Sequence, residues 1–156
     1  MKVGVLLPSR FEDPGEFLAD ARAMETAGVD SIWLDNQDDG LDPLLMLAAI
    51  AAVTSQLRLG LLPQFPSPLA GEGQGGGQRR IETLQLLSRN RVVESSTERW
   101  QRVEVPADRD EWASTLERAQ KDGSYGVLVP FDPRLLDILR HPDDAIDRSD
   151  LILAQG

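Results

Sequence analysis

Hydrophobic and polar positions fall into blocks of strand and helix length. Val3 to Leu7 is an unbroken apolar run closed by Pro8-Ser9. A run apolar on both faces belongs to a parallel strand that is covered on both sides. Asp13-Pro14-Gly15-Glu16 then reads as a helix start, with Pro near the first turn. Phe17, Leu18, Ala21, Met24 and Ala27 follow at helical spacing, and Gly28 is the expected C-terminal cap. Val29 to Leu34 reads as a second strand. Asp42 as N-cap and Pro43 as first helical residue open a second helix, whose body Leu44 to Val53 is apolar nearly all round. Such a helix requires cover on more than one side. Leu57 to Leu62 is a third strand.

The rhythm breaks at Pro63 to Gly77, where three prolines and five glycines predict a long loop. Beyond it the pattern predicts a helix over Gln78 to Ser88, a short strand over Arg91 to Ser95, and another over Gln101 to Val105. A helix from Asp110 to Lys121 ends at Gly123. A strand from Tyr125 to Val129, a helix opened by Asp132-Pro133 and a last apolar segment at Leu151 to Ala154 complete the series. Glu16-Phe17, Gly28 and Ile32 recur as Glu111-Trp112, Gly123 and Val127, and GVLLP at Gly4 to Pro8 echoes GVLVP at Gly126 to Pro130. Repeated helix–Gly–strand units are βα units, because parallel strands need crossover connections. The right-handed crossover rule leaves an open doubly wound sheet or a barrel.

Composition narrows the chemistry. The 156 residues suggest one domain. Cysteine is absent, which removes disulfides, thiolate metal sites and a Cys nucleophile, and the single His141 excludes a multi-His metal cluster. A net charge of -10 repels phosphate backbones, so nucleic-acid binding is disfavoured. No run approaches a membrane span and the N-terminal apolar run is too short for a signal sequence, so a cytoplasmic location is expected.

The segments KVGVLLPS, FLADARAMETAGVDSIWLDN, DPLLMLAAIAAVTSQLRLGLL and IETLQLLSRNRVVES resemble the luciferase-like family, which contains flavin- and deazaflavin (F420)-dependent monooxygenases and reductases. DPLLMLAAIAAVTSQLRLG is the most specific stretch, followed by Thr83 to Val92; together the segments cover residues 1 to about 95. Residues 111 to 140 look like the family's closing βα unit. The resemblance implies a (β/α)8 barrel. Such a barrel takes about 250 residues, with about 200 at the low end. The expectation is therefore an incomplete or compact TIM-type barrel of mostly parallel strands, missing the central units after the fourth strand. Segments of that missing part build much of the family's flavin phosphate site. Either the remaining strands close among themselves or a second subunit covers the gap, since open sheets leave exposed edges.

Barrel sites lie at the carboxyl ends of strands. Here those ends carry Ser9-Arg10, Asp35-Asn36-Gln37, Gln64, Glu94-Ser95-Ser96 and Asp132. In the family they cradle the isoalloxazine ring, and Ser9, Gln64, Glu94 and Ser95 are the cofactor-binding candidates the resemblance implies. Arg79 and Arg80, at the start of the predicted third helix, are candidates for an anion site, because free N–H groups and guanidinium groups both favour phosphate there. Gly71 to Gly76 spells G-x-G-x-x-G, but a proline-bounded stretch separates it from the strand ending at Leu62. A dinucleotide fingerprint needs its first glycine directly after the strand, so a lid over a strand-end pocket is the better reading. Asp35, Asp38, Asp39 and Asp42 match no metal-loop spacing, and no Ser/His/Asp arrangement has support. Arg140 and His141 complement a helix dipole. No catalytic residue is assigned.

Two functions follow as expectations. One is an oxidoreductase of luciferase-like type using reduced FMN or F420 on a small organic substrate. The other is a non-catalytic, flavin-free paralogue acting as a binding or accessory protein. In the family, helices in the region of Leu44 to Val53 pack across a dimer interface. A homodimer through that helix is expected.

Overall fold

The computed structural model describes residues 1–35, 40–62, 74–94 and 98–140. Its elements in chain order are β1 (Lys2–Leu7), α1 (Pro14–Thr26), β2 (Ser31–Asp35), α2 (Pro43–Val53), β3 (Arg58–Leu62), α3 (Gln74–Leu87), β4 (Val92–Glu94), β5 (Trp100–Arg102), α4 (Arg109–Lys121), β6 (Gly126–Pro130) and α5 (Pro133–Leu139). The predicted strand at Leu151 to Ala154 and most of the predicted loop, residues 63–73, lie outside the described residues.

The helix starts follow one local rule. Asp13, Asp42, Asp108 and Asp132 each stand at the N-cap with extended backbone, and each carboxylate accepts an N–H of the first turn. Pro14, Pro43 and Pro133 occupy the adjoining position, where their missing N–H costs nothing. Gly28 and Gly123, the two glycines of the internal repeat, both take the left-handed backbone just past a helix, at φ of 81° and 71°. The third helix begins earlier than predicted, since Gln74 to Gly77 form its first turn. The strand foreseen over Gln101 to Val105 is the shorter β5.

All six strands are parallel and form one sheet in the order β4-β3-β2-β1-β6-β5. Each of β2, β3 and β4 lies beside its predecessor, joined to it by a helix. Repeated right-handed crossovers in one direction put all those helices on one face. The outward strand residues Val5, Leu7, Ile32, Leu34, Leu59, Val127 and Val129 pack there against Phe17, Met24, Leu47, Ile50, Trp112 and Leu135. The other face is concave. Trp33 on β2 meets Trp100 on β5 at a ring-centroid distance of 5.2 Å, although β1 and β6 stand between these strands in the sheet. The sheet is an incomplete TIM-type barrel, curled with its helices outside. Among the described residues, β4 and β5 are its edges. Five residues, 95–99, join them, too few for a crossover helix.

Candidate functional site

Period-two alternation fixes what faces the concave side. Gly4 and Leu6 of β1, Ser31, Trp33 and Asp35 of β2, Arg58, Gly60 and Leu62 of β3, Val93 of β4, Trp100 and Arg102 of β5, and Gly126 and Leu128 of β6 share it. Trp33, Val93 and Leu128 are buried there, with Leu6, Leu62 and Trp100 packed against them. The concave face thus has three levels.

The lower level, at the amino ends of the strands, is tied shut by polar groups. The Arg58 guanidinium donates to Glu98 at 2.8 Å and to the Tyr125 hydroxyl at 2.9 Å. Glu98 also accepts from the Trp100 indole N–H at 3.2 Å. The hydrogen bond to Glu98 is the chief reason the Arg58 guanidinium holds its proton more tightly than usual. Lys2 donates to Asp30 at 2.5 Å beside this network.

The middle level is filled by indole. Trp33 donates its Nε1–H to Ser31 Oγ at 2.9 Å. A Cβ on Gly60 would lie 2.2 Å from the Trp33 ring, and one on Gly4 would lie 2.8 Å from its Nε1. A Cβ on Gly126 would lie 2.5 Å from Trp100. These three glycines therefore serve close approach: no other residue leaves the space that the two indoles occupy.

The upper level, at the carboxyl ends, is the open one. Asp35 on β2 and Arg102 on β5 face each other across the mouth, with Arg102 Nη2 3.8 Å from Asp35 Oδ2. Their side chains are 26% and 63% exposed. Leu6 and Leu62, partly buried, supply apolar surface on the same concave side, over the buried Leu128.

The sequence candidates scatter around this mouth. Ser9 follows β1, half-buried, and its carbonyl accepts from Leu41 N–H at 3.0 Å, tying the loop to the approach to α2. Glu94 ends β4 in backbone position. Gln64 and Ser95, with Asn36, Gln37 and Ser96, lie outside the described residues. Arg79 and Arg80 sit in the second turn of α3, beyond the free N–H groups of its first turn. Arg80 pairs with Asp42, the N-cap of α2, and Arg79 lends its carbonyl to the Thr83 hydroxyl. Asp132 is engaged as the N-cap of α5 and by the Arg134 side chain, whose hydrogen bond holds its carboxyl below the usual range. Beside the mouth, Phe11, Phe17 and Phe131 floor an open cleft with Glu12, Glu16 and Asp20 among its lining residues. Burial first, and Glu16 second, push the Asp20 carboxyl up.

Sequence reading missed Arg102, Trp33 and the glycines that make room for the indoles. The available signal was Gly4, Gly60 and Gly126 at inward positions of three strands, beside two tryptophans of matching parity.

The fold and site define a class: a parallel, helix-jacketed incomplete barrel, open at the carboxyl ends of its strands. Residues 1–61, which run from β1 through most of β3, match the family of luciferase-like monooxygenases. Over that stretch the chain is similar to the family that its sequence resembles. The coenzyme F420-dependent tetrahydromethanopterin reductase of Methanopyrus kandleri is similar in structure, with a TM-score of 0.51 and 17% identity over 73% of this chain and 29% of the reductase. The oxygenating constituent of 3,6-diketocamphane monooxygenase from Pseudomonas putida, solved with FMN, gives 0.49 and 18% over 60% and 28%. Monooxygenase RslO1 of Streptomyces bottropensis gives 0.46 and 22% over 78% and 40%. The fold comparison rests on the reductase, of which the chain spans less than a third. No curated protein matches the chain. In an eight-stranded barrel the last strand returns to the side of β1; β6 holds that place here, so the break falls between β4 and β5. Among the described residues no helix is long and apolar enough to cross a membrane.

Proposed function

We propose that the chain is a luciferase-like oxidoreductase that seats a reduced FMN or F420 ring at the carboxyl-end mouth of its incomplete barrel, for reaction with a small organic substrate. The observation that carries the reading is the mouth itself: the partly buried apolar concave-face residues Leu6 and Leu62 combined with a half-open polar pair, Asp35 and Arg102. A largely apolar concavity with few convergent polar groups is the usual form of a cofactor site. The residues fit a planar ring, since the mouth offers apolar contact from below and a guanidinium with unused donors at the side. A bound flavin or deazaflavin supplies the redox chemistry itself. The protein's part is to hold, orient and keep water from the ring, which explains how a chain with one histidine and no cysteine can serve. Of the residues implied by the resemblance, Ser9 follows β1 and Glu94 ends β4 at the carboxyl-end side, Arg79 and Arg80 stand on α3, and Gln64 and Ser95, outside the described residues, keep the cofactor role that the resemblance implies.

A second copy belongs to the same proposal. Met46, Leu47, Ile50 and Ala51 bury one side of α2, while Leu45 stays 67% exposed with Ala49 and Ala52 on its outer face. A homodimer through this face covers it. Light scattering should give twice 17.2 kDa, and Leu45→Lys with Ala49→Lys should return the monomer. A wild-type monomer at high micromolar concentration refutes the pairing.

The five-residue join between β4 and β5 favours a second reading, a flavin-free binding or accessory protein, because it leaves no room for the units that complete a barrel. Titration separates the two. Saturable quenching of F420 or FMN fluorescence at micromolar protein supports the oxidoreductase. Absence of response to either at tens of micromolar leaves the accessory role.

A further inference from the structure

Most arginines that turn toward the interior of this fold are used up. Arg58 donates to Glu98 and Tyr125. Arg91 directs its guanidinium at Ser88, Ala51, Thr54 and Leu57, with five hydrogen bonds between 2.7 and 3.1 Å. Arg102 is different. Its one charged partner, Asp35, lies at 3.8 Å, beyond hydrogen-bond range, and among the described residues neither side chain has a hydrogen-bond partner. A guanidinium carries five donors in a planar fork suited to two oxygens of one carboxylate or phosphate. Arg102 therefore stands at the mouth with its donors free, held in place only by charge.

From this we infer that Arg102 is an oxyanion anchor: it binds the phosphate or carboxylate of a ligand whose flat apolar body rests in the mouth, and Asp35 is the internal competitor that this anion displaces. The inference rests on the reading that the mouth holds a planar ligand. It goes further by naming the residue and the charge of the group it takes. The remainder of the surface repels anions, because the chain carries a net charge of -10, so a local cation facing an apolar surface is what gives such a ligand a place to bind. Asp35 sets the sign of the effect. While it faces Arg102 it neutralises the fork and repels an incoming oxyanion.

The test uses opposite shifts. FMN and riboflavin share a ring and differ in the phosphate, so they separate ring contacts from anion contacts. Arg102→Gln should weaken FMN about tenfold or more, the loss expected for charge-assisted hydrogen bonds, and leave riboflavin within twofold. Asp35→Asn should tighten FMN, a direction that a merely structural ion pair does not give. Both side chains are partly exposed, so circular dichroism melting is expected to stay within a few degrees of wild type. Equal weakening of FMN by both variants, or no change with Arg102→Gln, overturns the anchor. A second measurement is independent of flavin: titration with phenyl phosphate, read at the 15N signal of Arg102 Nε. Should flavins fail to bind while phenyl phosphate moves that signal, the anchor stands and the flavin reading falls. If neither ligand produces a response, both fall.

Discussion

Gly60→Ala tests the packing of the barrel interior at its tightest point. The added methyl would sit 2.2 Å from Cδ2 and Cε3 of Trp33 and 2.6 Å from Cε2. Carbon atoms in contact settle at about 3.5–4.0 Å, so the indole must withdraw by more than about 1 Å. It has nowhere to go. On its far side it lies over Gly4, where a Cβ would already be 2.8 Å from Nε1. Withdrawal also stretches the 2.9 Å bond from Nε1 to Ser31 Oγ, worth about 1 kcal/mol. Overpacking costs about 1–3 kcal/mol, so the sum is about 2–4 kcal/mol. For a chain of this size each kcal/mol lowers Tm by about 2–4 °C, giving a drop of about 4–16 °C. Urea unfolding followed by far-UV circular dichroism measures it without relying on the altered tryptophan. Trp33→Leu alone should cost about 3 kcal/mol through the space it empties. With the indole gone, the Gly60 methyl meets no ring, so the double variant should be more stable than the two separate losses predict by at least about 1 kcal/mol. Additive losses, or a Gly60→Ala protein that melts like wild type, would refute the interdigitation of β3 backbone and indole.

Three further outcomes are expected. Arg91→Lys should destabilise nearly as much as Arg91→Ala, by about 2–4 kcal/mol in thermal unfolding, because a point-like ammonium cannot reach the separate carbonyls that the fork ties together at the end of α2. The Glu25 carboxylate is pushed up by burial, but the N–H groups of Gln56, Ser55 and Leu57, with Arg91 nearby, outweigh this and hold it below its ordinary value of 4.5. Its contribution to stability is therefore present above pH 4.5 and lost as pH falls through the lowered value, and Glu25→Gln should flatten that part of the stability–pH curve. Asp108→Ala removes the acceptor for Glu111 N–H at 2.8 Å and should cost about 1 kcal/mol by denaturant midpoint, with Asp108→Asn restoring most of it.

What the sequence disclosed, and what it hid, follow from the range of the forces involved. Helix starts are local chemistry: an aspartate followed by proline specifies its own cap, so Asp13, Asp42 and Asp132 were legible one by one. Strand runs such as Val3 to Leu7 were legible because burial on both faces leaves an unbroken apolar word. The third helix starts four residues earlier than its pattern predicts because QGGG has poor intrinsic propensity. Arg102 escaped notice because its neighbour across the mouth, Asp35, is 67 positions away and three strands over. No spacing rule connects residues that meet only when a sheet curls. The same holds for Trp33 and Gly60, whose fit is visible only in register.

That register also explains how a barrel short of strands keeps a filled interior. A closed eight-stranded barrel fills itself with layers of four side chains drawn from alternate strands. With six strands, ordinary side chains at Gly4, Gly60 and Gly126 would crowd the near wall, while the open side between β4 and β5 contributed nothing to fill the centre. Two indoles solve the geometry in a different way. Each reaches across the axis from one strand, and glycine on the strands it passes concedes the room. The arrangement also gives the fold a direction. Arg58, Glu98 and Tyr125 spend their polar groups on one another below, the tryptophans fill the middle, and above them Asp35 and Arg102 are the charged pair that, among the described residues, retains unspent hydrogen-bonding capacity. A ligand entering the concave face therefore meets the free polar groups of the described residues at the carboxyl ends of the strands. The interior packing is what directs the free polar groups to that end, and loosening Trp33 should disturb the mouth before it disturbs the sheet.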